Sequence, residues 1–488
     1  MKLKIKISTL LFILLLSVTA FAQEDTYIVR FNDSMQLFSL KDDDGIDFAV
    51  ANREELAEYI EAGIVEHYEP NYEVFAIETN AEETESTVPE VEVNWNFNMV
   101  NAAFAYKIGA MGNEVKVAVI DSGLCSDDML KSQILNGYDF ITDNPTDKNV
   151  NNDNADGRYH GTIVSSIIAR QNIGYGTGIA ARAHIMPLRV LDYDETEGTS
   201  IGTLDDIIDA IEYATNAGCD IINMSLGIKG SDISEENLST LSLAINKAVE
   251  KGIIVIAAAG NDGEKEYMYP ASLDNVISVA SVESDRTHSE FSQHNDKVFI
   301  SAPGGDMPIS ILYRIENGME TASVYTANGT SLAAPHVSGL AAVAKCIKAD
   351  INDAAFREVL KKTSGQTERN DELGYGIIDC QAAIKELLKG KSAYLSPTAF
   401  VKGTEGSYTG TMSVATLYNN DENNTLNATV FYSLYNSDKT VEKVIKYPVS
   451  LAPGEKESFM KPYSEGNVRY MVWDNLKNMV PLAPASYK

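Results

Sequence analysis

Between residues 116 and 385, apolar runs of strand length alternate with segments of helix length. Residues 117–120, Ile221–Met224 and 253–259 are almost uninterruptedly apolar. Strands read that way when both faces are covered, so the pattern predicts a doubly wound parallel sheet with helices on either side. In such sheets the reactive groups gather beyond the carboxyl ends of the strands. Two flanking regions read differently. Residues 27–31 and 72–77 alternate in the manner of half-buried strands around a helical stretch, Arg53–Ala62, which predicts a small α+β unit. After Gly390, residues 414–418, 429–434, 444–449 and 468–473 are short strands separated by Asn-, Asp- and Gly-rich turns, the pattern of a small all-β sandwich. Residues 78–92 are acidic, contain proline and have no apolar period, so they read as an exposed linker.

At 488 residues the chain is long enough for two or three domains. Its formal net charge of −31 argues against nucleic acid as a partner, because such binding needs cations to displace counterions. Lys2, Lys4 and Lys6 precede an apolar run over residues 10–18, and Ala20-Phe21-Ala22 follows. This predicts a secretory signal peptide cut after Ala22. The run falls short of the ~20 apolar residues that span a bilayer, so a freely released, extracellular protein with no membrane span in its mature form is expected. Cys125, Cys219, Cys346 and Cys380 are too sparse for a disulfide framework. Buried free thiols are expected, with a Cys346 to Cys380 bridge left open.

Three motifs supply a carboxylate, an imidazole and a hydroxyl in chain order. They are Val117-Ala118-Val119-Ile120-Asp121-Ser122-Gly123, His160-Gly161-Thr162, and Asn328-Gly329-Thr330-Ser331 running on to His336. A serine hydroxyl is a weak nucleophile until a base takes its proton, and the base needs an acid to fix its tautomer. Each residue also has a plainer role. Asp121 could cap a helix, and Ser331, just ahead of an apolar helical run, could be an N-cap.

The order Asp, His, Ser, together with Ile253-Ile254-Val255-Ile256-Ala257-Ala258-Ala259-Gly260-Asn261 and Ile221-Ile222-Asn223-Met224-Ser225-Leu226-Gly227, resembles the subtilases from about Trp95 to Leu388. The resemblance implies a secreted serine endopeptidase acting on proteins or peptides, with Asp121, His160 and Ser331 as triad and the Asn261 amide as oxyanion donor. It implies that Ser225, Leu226 and Gly227 with Ala258 and Gly260 wall the pocket for the residue before the cut. Its floor comes from a loop ending in Tyr269-Pro270, where Glu264, Glu266 and Met268 imply opposite preferences. The other histidines match no ligand spacing, and His336 is implied to pack rather than to act as a second base.

The resemblance divides the chain into a signal peptide (1–22), an inhibitor-like propeptide (23–79), an acidic linker (80–93), a peptidase domain (94–390) and a C-terminal β-sandwich (391–488). The propeptide is implied to inhibit its own enzyme until self-cleavage releases a monomer. An N-terminal domain retained in the mature protein is the alternative at that end. No cofactor is implied for catalysis. A structural calcium ion is implied at the loop 171–178 through Asn172, with Asp127 or Asp128 as carboxylate partner. The competing reading of the whole is an inactive scaffold that binds through its tail.

Overall fold

The computed structural model describes residues 22–31, 48–77, 82–83, 95–125, 130, 132–146, 159–171, 177–194, 196, 199–316, 319–405, 408–435, 441–463, 467–473 and 486–487. All but Ala22 of the expected signal peptide, nearly all of the acidic linker, and Asp127, Asp128 and Asn172 of the expected calcium site lie outside those residues.

Eight strands form the central sheet in the order Val298–Pro303, Val276–Val282, Ile254–Ala258, Ile221–Met224, Lys116–Asp121, His184–Arg189, Gly137–Asp139, Asn144–Thr146. All neighbours are parallel except the last pair. The uninterrupted apolar runs have the cause the sequence suggests. Ile254 and Ile256 join the core on one face while Val255 and Ala257 join the core on the other, so successive side chains fill two different interiors. The helix Thr330–Ile347 covers the first face, and Leu204–Asn216 and Ser239–Glu250 cover the second. Early strands are added on one side of Lys116–Asp121 and later ones on the other. Asp121 therefore ends a strand at the switch point, where two loops diverge and leave a crevice.

The N-terminal unit pairs Ala22–Phe31 with Phe48–Asn52 and with Val65–Ala76, all antiparallel. Its helix Arg53–Ala62 starts on a reciprocal cap. The Asn52 side chain accepts from the Glu54 and Glu55 N–H groups, and the Glu55 carboxylate accepts from the Asn52 N–H. The far end of Val65–Ala76 leaves its own unit and runs between two strands of the main body. Phe75, Val74 and Glu73 pair with Ile201, Gly202 and Thr203, while Ala76 and Phe75 pair with Leu226 and Gly227.

At the C-terminus two four-stranded antiparallel sheets share one apolar core that includes Leu417, Phe459, Val430, Tyr470 and Val472. Each expected strand is present within a longer one, and Ala393–Leu395, Ala399–Glu405, Lys456–Pro462 and Ser486–Tyr487 are additional. Tyr394 and Tyr418 leave that core and pack into the core beneath the serine helix; the Tyr418 ring meets Phe104 edge-on at 5.7 Å. All four cysteines are free thiols, and Cys346 Sγ lies 4.0 Å from the Tyr394 hydroxyl.

Candidate active site

Asp121 is the last residue of its strand and is 1% exposed. Its Oδ1 accepts from the Ser122 N–H at 2.8 Å and the Ser122 hydroxyl at 3.2 Å, and lies 2.7 Å from His160 Nδ1. A buried carboxylate on Nδ1 places the imidazole proton there and leaves Nε2 as the basic nitrogen. His160 opens the helix His160–Ala169, and the turn before it holds Tyr159 at φ 53°. Gly161 follows because a Cβ there would collide with the Gly123 carbonyl, so the helix approaches the Asp121 loop at backbone distance. The Ser122 hydroxyl accepts from the Gly161 N–H at 3.1 Å, tying the two elements together.

Ser331 is the second residue of the helix Thr330–Ile347. It is fully buried, and its hydroxyl makes no hydrogen bond among the described residues. The N-cap position belongs to Gly329, with no side-chain bond, so Ser331 does not spend its oxygen on the helix. Four residues on, Pro335 has no N–H to give the Ser331 carbonyl. The Ser225 hydroxyl fills that gap at 2.9 Å, itself accepting from Asn223 Nδ2 at 3.2 Å, while Ser338 donates to Asn223 Oδ1 at 2.7 Å. A buried polar chain therefore fixes the main chain at Ser331 against the neighbouring strand.

Asn261 follows the strand Ile254–Ala258 through Ala259 and Gly260. Its Oδ1 accepts from the Thr330 N–H at 2.8 Å and the Thr330 hydroxyl at 2.9 Å. An N–H group can only donate, so the side-chain orientation is settled by chemistry. Oδ1 faces Thr330 and the amide nitrogen is presented on the other side. This partner is 69 residues away, not a local turn. His336 is fully buried between the Leu332 carbonyl and Asn96, and desolvation lowers its pKa to about 4, so it stays neutral and away from the cleft.

Ser225 to Gly227 and Ala258 to Gly260 stand on two walls with Met268 between them. A Cβ on Gly227 would lie 2.7 Å from Met268 Cγ, and one on Gly260 would lie 3.0 Å from Met268 Cε. Glu264 is exposed, and Glu266 turns to the Ser231 N–H at 2.6 Å. Of the three floor candidates, Met268 is the one inside.

Sequence reasoning assigned no role to several contributors: Ser122, Thr330, the Asn223 and Ser338 pair, and the residues by which the N-terminal unit docks. Glu69, fully buried, accepts from the Ser239 and Thr240 N–H groups at 3.0 and 3.1 Å, capping the helix Ser239–Glu250. Asn71 accepts from the Asp205 N–H at 3.2 Å and donates to the Asp205 carboxylate at 2.8 Å, at the start of Leu204–Asn216. Their partners lie 134 to 171 residues away, beyond any local periodicity.

Residues 112–376 match the model of the subtilase family, Peptidase S8, which is more than half of the chain. The chain belongs to the subtilase family. A thermostable alkaline protease of Halalkalibacterium halodurans is 34% identical over 313 residues, 64% of this chain and 77% of that one. Subtilisin BL of Lederbergia lenta is 31% identical over 294 residues, 60% of this chain and 99% of its own. Among solved structures, proteases from Pseudoalteromonas arctica superpose at a TM-score of 0.51 and 28% identity, covering 62% of this chain and all of that chain. This subtilase is thus a subtilisin-like serine protease, a hydrolase of peptide bonds. No helix among its described residues is long and apolar enough to cross a membrane.

Proposed function

We propose that this subtilase is a secreted endopeptidase made as a self-processing zymogen, with Asp121, His160 and Ser331 as its triad and Asn261 as oxyanion donor. The observation that carries the reading is the buried 2.7 Å contact between Asp121 and His160 Nδ1, set at the sheet's switch point beside the start of the serine helix. His160 Nε2 takes the proton of Ser331 Oγ as that oxygen attacks the peptide carbonyl, and later gives it to the leaving amine. Asp121 stabilises the imidazolium, and the Asn261 amide N–H with the Ser331 backbone N–H receives the charge that develops on the carbonyl oxygen. The N-terminal unit serves as the propeptide, because its last strand lies paired between the two strands that would otherwise pair with a substrate.

Ser331→Ala tests the reading. The variant should have no peptidase activity and should be secreted as a precursor still carrying the N-terminal unit, seen by intact mass. Normal trimming of Ser331→Ala in a protease-free host would refute self-processing, and residual wild-type activity would refute the nucleophile.

A further inference from the structure

We infer that the first self-cleavage breaks the peptide bond on the C-terminal side of Ile77, and that Met268 closes the pocket holding Ile77 so that the enzyme selects compact aliphatic residues before the cut. This deepens the zymogen reading and rests on it.

The backbone sets the register. Phe75 pairs with Gly227 and Ala76 with Leu226, and the next N–H, that of Ile77, donates to the Ser225 carbonyl at 3.2 Å. Ser225 is the residue whose hydroxyl holds the Ser331 carbonyl at 2.9 Å. Two hydrogen bonds through one residue thus connect Ile77 to the nucleophile's own main chain, and the docking strand reaches Ser331 at Ile77. In the reaction Ser331 Oγ bonds to the Ile77 carbonyl carbon and the bond to the Glu78 nitrogen breaks. The serine proton passes through His160 to that amine, and water then releases the Ile77 carboxylate from the ester.

The side chains set the preference. Tyr72, Val74 and Ala76 alternate onto one face of the docking strand and pack with Leu204, Ile207 and Leu226. Ile77, 5% exposed, belongs instead to the apolar cluster that contains Ala258 and Met268. Gly227 and Gly260 leave no Cβ on either wall, and the Met268 thioether occupies the space so made, within 3.0 Å of where each Cβ would stand. The walls and floor named here carry no charge to receive Lys, Arg or Glu, and the Met268 chain takes up space that an aromatic ring would need. Branched or short aliphatic residues fit the pocket.

N-terminal sequencing through a time course of wild-type maturation should find Glu78 as the first new terminus. Ile77→Phe and Ile77→Lys precursors should be cut at that bond at least about tenfold more slowly, since pocket misfits of this kind cost about 10- to 200-fold. Met268→Ala should restore cutting of Ile77→Phe and raise the kcat/KM ratio of Phe over Ile peptides at least about tenfold, with active-site titration counting folded enzyme. A first terminus elsewhere, an Ile77→Phe precursor cut at the wild-type rate, or a Met268→Ala ratio within about twofold of wild type would overturn the inference. If Met268→Ala does not fold, the Ile77 variants decide alone, because they leave the peptidase body unchanged. Serine-dependent cleavage at another bond refutes this inference and leaves the zymogen reading standing; absence of any Ser331-dependent cleavage refutes that reading as well.

Discussion

On the proposal that the N-terminal unit is an inhibitory propeptide, Glu69 offers the most direct measure of how it holds the peptidase body. The carboxylate is fully buried and accepts two backbone N–H groups at the first turn of Ser239–Glu250, where the helix dipole adds to each bond. Glu69→Ala removes both bonds in the complex, whereas in the free enzyme water already satisfies those N–H groups in wild type and variant alike. Two charge-assisted bonds, less what hydration returns, leave a net loss of about 2–4 kcal/mol. At 1.4 kcal/mol per decade this weakens inhibition about 30- to 1,000-fold. The assay is the inhibition constant of the released segment against mature enzyme, with Glu58→Ala, which removes an exposed charge of the same sign, as control. A Glu69→Ala constant within about threefold of the control would refute the capping argument.

Asn261→Ala should lower kcat roughly 100- to 1,000-fold with little change in KM, a magnitude carried over from subtilisins, because the lost donor acts on the transition state; a kcat within about fivefold of wild type per titrated site would sink the assignment. Burial and the neighbouring Asp205 raise the pKa of Asp206 from 3.8 to about 7. The folded protein therefore holds a proton that the unfolded chain releases, and stability falls as pH rises from about 4 to about 7. On a Ser331→Ala background, Asp206→Asn should raise Tm more at pH 8.5 than at pH 4.5, and equal shifts would refute the linkage. Truncation after Leu388 should keep kcat/KM on a short peptide within about tenfold, since every proposed catalytic group lies upstream. It should also lower Tm by about 3 °C or more, because Tyr394 and Tyr418 leave the main core at a cost of roughly 2 kcal/mol or more; an unchanged Tm would refute that packing.

What could be read from the chain beforehand was whatever is encoded within a few residues. Asp121 and Asn261 each stand just beyond an apolar strand, and strand and residue are contiguous in the sequence. Ser331 is contiguous with its helix. The floor of the pocket was not legible in this way. Glu264, Glu266 and Met268 sit on one short loop, and only the close approach of Gly227 and Gly260 decides which side chain turns inward. The docking contacts of Glu69 and Asn71 were hidden for a related reason, since a cap is recognised by its helix, and these helices begin far along the chain. Of the four additional C-terminal strands, Ala393–Leu395 and Ser486–Tyr487 are too short to show a period, Ala399–Glu405 alternates weakly in sequence, and Lys456–Pro462 exposes Lys456 and Glu457 in succession, so its period is muted.

The proline in the serine helix ties together residues that ordinary bookkeeping would count separately. Because Pro335 deprives the Ser331 carbonyl of its helical partner, that carbonyl depends on the hydroxyl at position 225 only while position 335 is proline. The worth of either residue is thus conditional on the other, and their effects cannot add. A lineage of this protein can lose the Ser225 hydroxyl without stranding a buried carbonyl only after it has lost Pro335. The order in which substitutions are accepted at these two sites, 110 residues apart in sequence, is written into the hydrogen bond between them.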